Sequence, residues 1–208
     1  MSTADQSPPL GHGLVLVRGS AAASARWVRR GLAAVRVAPL QGWTGVCLAE
    51  DLALTAAPYD VGLEILAARR VPTRHRPAVG LFVIDGCAVV TVQARGWRLE
   101  QRWLVWEPGT GVRRTPDLPA LPAGLIVDVA GARSRTSPAE VTEHFADPDG
   151  EPLDVLVGLM RMLGLPGEEL LRDGADESYE RIDPSPRSIA AFDALVAEES
   201  AHRTESEQ

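Results

Sequence analysis

Lysine is absent from this chain: all 21 Lys+Arg positions are arginine. That excludes Schiff-base chemistry, lysine general bases and the phosphate-gripping lysine of a Walker A loop. It also removes lysine acetylation as a means of control. The pattern reads as the codon usage of a GC-rich bacterial genome.

Cysteine is scarce as well. Cys47 and Cys87 both lie in apolar, strand-like contexts and form no CxxC pair. They read as reduced thiols in a reducing compartment rather than as redox or metal groups. No run approaches the 18 or so apolar residues of a membrane helix. Residues 1–13 lack the basic-then-apolar order of a secretory signal, so a cytoplasmic location is expected. There is no GxSxG, kinase set, HExxH or paired Cys/His signature. RNP, KH and zinc-finger spacings are missing, and no fixed-period repeat occurs.

What is present is a chain of ordinary globular composition, 208 residues with 45% hydrophobic and 24% charged residues, long enough to bury one core without metals or disulfides. Charge divides it. Residues 1–135 carry 16 Arg against 10 Asp+Glu; residues 136–208 carry 5 against 18. Such asymmetry marks an acidic tail or a nucleic-acid surface, or simply helices solvated by carboxylates.

The Ser/Pro/Gly-rich residues 1–13 are expected to be a disordered arm. Residues 14–18 (LVLVR), 33–38 and 44–48 are predicted strands, with a helix over 21–30 capped by Ser20. A second helix is expected from Thr55, with Pro58 in its first turn, to Arg70. The clearest local signal is Asp85-Gly86 between the apolar runs 79–84 and 87–94, a type I′ hairpin. A strand over 97–107 follows. On it Trp97, Leu99, Trp103 and Val105 share the expected core face, and Arg98, Arg102, Leu104 and Trp106 the other. Residues 125–129 (LIVDV) are expected as a last strand. Helices are then expected over 137–145, 153–163, 168–172 and from Ser185 on, the last with Ile189, Phe192, Leu195 and Val196 in one stripe. Clustered strands followed by helices predict an α+β fold: a mostly antiparallel sheet built on a meander over 79–107, two helices in the N-terminal part and a helical C-terminal region. The expected organisation is an arm (1–13), a core domain (14–135), an acidic helical extension packed on it (136–200) and a disordered tail (201–208).

Five constellations offer chemistry. The strand-to-helix turn places Arg18, Gly19 and Ser20 where an anion would meet a guanidinium, although an ordinary capped helix explains the same residues. Arginines 26, 29, 30, 69, 70, 74, 76, 95, 98, 102, 113 and 114, near Trp27, Trp97 and Trp106, would grip phosphates and bases, or else cover apolar surface. Residues 153–172 have a faint helix-turn-helix rhythm. Glu168 and Glu169 would repel DNA there, so a packed helical hairpin is the stronger reading. Glu140, His144 and Asp147 share one helix face without a completing ligand, and a solvated face is preferred. Asp128, inside an apolar run, is expected to be a buried acid paired with an arginine.

The leading expectation is therefore a non-enzymatic protein-binding or regulatory module with no cofactor and no metal. Its interaction surface would be Trp97, Arg98, Arg102 and Trp106 together with Ile189, Phe192 and Leu195, meeting a protein partner or a second copy as a homodimer. The alternative is a small enzyme or ligand-binding protein for an anionic small molecule at residues 17–20, near Asp128. Nucleic-acid binding through the arginine-rich half ranks third, because the net charge is −7. No membrane partner is expected.

Overall fold

A computed structural model of the chain describes residues 11–96, 100–131 and 135–206, with side-chain surroundings through Glu199. The strands are β1 (Gly13–Val17), β2 (Val35–Leu40), β3 (Trp43–Leu48), β4 (Ala78–Ile84), β5 (Cys87–Gln93), β6 (Arg102–Glu107), β7 (Gly111–Arg113) and β8 (Glu180–Ile182). The helices are α1 (Ala21–Val28), α2 (Gly62–Ala68), α3 (Ala123–Ala130), α4 (Pro138–Ala146), α5 (Pro152–Leu163), α6 (Glu168–Asp173) and α7 (Pro186–Ser206). The strands form one sheet in the order β7-β6-β5-β4-β1-β3-β2-β8, each pair antiparallel. The class is α+β, as the residue order predicts. No described helix is long and apolar enough to cross a membrane.

The β4–β5 hairpin shows how directly local chemistry acts. Asp85 and Gly86 take φ of 50° and 70°, the left-handed pair that a type I′ turn needs. Ile84 then pairs with Cys87, and the register runs back to Ala78 against Gln93.

Both faces of the sheet are covered, which explains why β1 and β3 are buried along their whole length rather than alternately. On one face Leu14, Leu16, Leu81, Val90 and Trp106 meet Ile126, Phe145, Leu156, Leu159 and Leu171 from α3 to α6. On the other, Val15, Val17, Val46 and Phe82 meet Trp27 and Val28 of α1 and Leu66 of α2. The outcome is a sheet between two helical layers, and α4 to α6 of the acidic half join α3 in one of them.

Several expectations are corrected. Residues 125–129 belong to a helix, not a strand. Pro122 stands at the N-cap of α3, and a five-residue apolar run fits a buried helix as well as a strand. Residues 55–60 form turns, so α2 begins only at Gly62; a side-chain to backbone hydrogen bond from Thr55 to Tyr59 competes with helix there. On β6 the better-buried parity is opposite to the expected one. Trp106 is fully buried, under α3–α5, while Trp103 and Val105 are half-buried on the face that α1 and α2 leave thinly covered at this end. Strand β8 was not expected; it pairs three residues with β2 and closes that edge. Helix α7 runs through Ser206. Residues 1–10 of the expected arm lie outside the described residues.

Candidate functional site

Arg18 follows β1 directly, and three contacts fix its position. Its backbone N–H donates to the carbonyl of His75 (2.9 Å). Its Nη1 donates to the carbonyl of Gly42 in the β2–β3 turn (2.6 Å). Its guanidinium lies 3.7 Å from the centroid of the Trp43 ring, a stacked cation–π geometry. Gly19 then turns the chain at φ 111°, where a Cβ would also meet His75 Nδ1 at 3.1 Å. The Gly19 carbonyl accepts from Thr44 Oγ1 (2.8 Å).

Two cavities flank this guanidinium. One, of about 480 Å³, lies between Gln41, Gly42 and Trp43 on the sheet side and Gly131, Leu165 and Pro166 on the helical side. The other, of about 440 Å³, is bounded by Arg95, Leu125, Asp128 and Gly131. Arg18 and Gly131 line both, so Arg18 stands on the wall the two spaces share. Comparison with protein-family models, curated proteins and solved structures found no match to this chain.

The Arg18, Gly19 and Ser20 turn divides its labour. Arg18 presents the cation, Gly19 makes the corner, and Ser20 is the N-cap of α1, its hydroxyl accepting from Ala23 N–H at 3.3 Å. Ser20 lines neither cavity. Asp128 is not a buried acid: it is exposed on α3, because the helix turns it outward while Ile126 and Val129 face the core. The structure nonetheless brings Asp128 to the same cavity as Arg18.

The residues of the expected interaction surface have different surroundings. Trp106 is a core residue, its Nε1–H donating to the Asp147 carbonyl at 3.0 Å. Arg102 is half-exposed, pairs with Glu100 and donates to the Ala120 carbonyl. Trp97 and Arg98 lie outside the described residues. Ile189 and Phe192 are half-buried, and Phe192 packs edge-on against Tyr59 with centroids 5.3 Å apart; Leu195 is exposed. Other arginines hold structure in place. Arg69 stacks 5.0 Å over Trp27, burial lowering its pKa to about 10, and Arg36 donates to the Tyr179 carbonyl.

Glu140, His144 and Asp147 line one shallow groove together. Glu140 is engaged in a capping box with Ser137, and His144 Nε2 donates to the Val155 carbonyl at 2.8 Å. Among the described residues no group of three His, Cys, Asp or Glu is placed to hold a metal ion. Burial pushes the Cys47 thiol up to about 12, which keeps it protonated and unreactive.

The residue order singles out Arg18 and Asp128, which the structure places at one cavity, and passes over Trp43, Gly42, Gly131 and His75. The strands expected over 33–38 and 44–48 imply a turn between them, without any indication of which strand end it would face.

Proposed function

We propose that the chain is a non-enzymatic binding module whose ligand is a small anion, a carboxylate or phosphate, held by Arg18 beside Trp43. The observation that carries this reading is the guanidinium standing between two cavities of about 480 and 440 Å³, a size that suits small-molecule ligands. A planar guanidinium presents paired donors that match carboxylate and phosphate oxygens. Stacked on Trp43 and tied to Gly42, it has little rotamer freedom left to lose on binding. The space next to Trp43 joins this cation to apolar walls from Trp43, Leu165 and Pro166, which favours an anion with an apolar body. Binding is preferred over catalysis because the described linings of the two spaces include no Ser, Thr, Cys, His or Tyr and a single carboxylate, Asp128.

A thermal-shift panel tests the proposal. Inorganic phosphate, nucleotides and benzoate are compared with benzamide and other neutral analogues. Concentration-dependent rises in Tm for an anion, absent for its neutral analogue and absent in Arg18→Met, are expected. A flat response across the anions would refute it.

A second reading, docking of a protein partner, draws on Leu52, Leu54, Tyr59, Val61 and Leu195, which are large apolar side chains left exposed. Size-exclusion chromatography with light scattering on the wild type and Leu195→Asp tests self-association. A monomer mass in both removes the homodimer.

A further inference from the structure

We infer that His75 is the positioning residue of the Arg18 site, holding the Arg18 backbone at two points; the inference rests on the reading of Arg18 as the anion-binding group. Three observations carry it. His75 is 1% exposed and lies directly behind the Arg18–Gly19 corner. Its carbonyl accepts from Arg18 N–H at 2.9 Å, and its ring Nδ1 lies 3.2 Å from the Arg18 carbonyl. Its other nitrogen, Nε2, lies 3.0 Å from Arg74 Nε.

Arginine Nε–H can only donate, so His75 Nε2 must carry the lone pair. The proton of the neutral ring is then on Nδ1 and donates to the Arg18 carbonyl. Arg74 thus selects the tautomer, the tautomer grips Arg18, and the grip sets where the guanidinium meets Trp43. Gly19 completes the device: any side chain there would approach the Nδ1 atom that makes the bond. Among charged groups Arg74 faces the ring; the carbonyls of Arg18 and Ala23 face it from the corner after β1 and from α1, and Trp27 lies alongside at 6.2 Å between centroids.

The test separates positioning from simple packing. The Arg18 side-chain ¹H–¹⁵N resonance, assigned by its loss in Arg18→Met, reports stacking on Trp43 through the ring-current shift. It is recorded in the wild type, His75→Leu, His75→Gln and His75→Asn, each then titrated with benzoate and inorganic phosphate. Asparagine places an N–H where Nδ1 stands; glutamine reaches toward the Nε2 position. The shifted resonance is expected to survive in His75→Asn and to collapse in His75→Leu and His75→Gln, with probe affinity roughly tenfold weaker in the latter two and roughly unchanged in His75→Asn. If His75→Leu does not fold, the Gln and Asn pair decides. An unshifted pattern across all variants overturns the inference while leaving the anion site standing. A wild-type Arg18 resonance that neither probe moves overturns the anion reading, and the ring-current comparison still judges the role of His75.

Discussion

The Arg18 guanidinium rests 3.7 Å above the ring of Trp43 while its Nη1 donates to the neighbouring Gly42 carbonyl. The two contacts come from adjacent residues where the β2–β3 turn enters β3, so one corner of the sheet holds the side chain at two points. Stacking of this kind contributes about 1 kcal/mol at a partly exposed position. Arg18→Met should therefore lower stability by about 1 kcal/mol, a modest loss beside its effect on anion binding. Urea unfolding of the variant measures the first quantity.

A side chain at Gly19 would be strained. Its φ of 111° is disfavoured for any residue with a Cβ, and that Cβ would meet His75 Nδ1 at 3.1 Å. Gly19→Ala is expected to cost about 1–3 kcal/mol and to weaken anion binding as well. Chemical denaturation and a benzoate titration of the same sample check both parts. Unchanged stability would contradict the geometry.

Acid should destabilise the fold through His75. Burial, and secondarily Arg74, lowers its pKa from the usual value of 6.5, against the opposing pull of the Arg18 and Ala23 carbonyls. The unfolded chain therefore takes up a proton as pH falls below about 6.5, before the folded chain does. The stability that the neutral ring contributes is complete above that pH and declines until the folded ring titrates. Glu140, Glu168 and Asp176, held below their ordinary values by hydrogen bonds from Ser137, Arg161 and Ser178, lose their contribution only at lower pH. Urea midpoints between pH 8 and 5 should fall for the wild type and stay flatter for His75→Asn; parallel curves would be the adverse result.

Two aromatic truncations should differ sharply. Trp106 is fully buried with its indole N–H satisfied, so Trp106→Ala is expected to cost about 3–5 kcal/mol. Phe192, half-buried on α7 against Tyr59, should cost roughly 1 kcal/mol as alanine. Unfolding midpoints of the two variants provide the comparison.

How much of this was legible in the residues follows from the range of the forces involved. Asp85-Gly86 announced its hairpin because turn conformation depends on those two residues alone. Ser137-Pro138 likewise announced α4, whose capping box closes within one turn. The LIVDV run misled because β-branched residues favour strands, whereas the helix forms to lay Ile126 and Val129 on the sheet. Trp106 misled for a related reason: alternation pairs residues into faces but does not say which face the helices will cover more deeply. Strand β8 is three residues long and gains its structure only from β2. At the site, the Arg18 turn was visible as a strand-to-helix corner. Trp43, His75 and Gly131 reach it from distant parts of the chain, and that convergence is set by the sheet order and the helical layers.

The most direct measurement is a calorimetric titration of benzoate and inorganic phosphate into the wild type, Arg18→Lys and Arg18→Met. A charge-assisted hydrogen bond of about 1.5–3 kcal/mol predicts a loss of roughly ten- to a hundredfold in Arg18→Met, with partial retention in Arg18→Lys, which keeps the charge but not the planar pair of donors. Equal affinity in Arg18→Met and the wild type, or equal binding of neutral benzamide, would contradict the assignment of Arg18 as the anion-binding group.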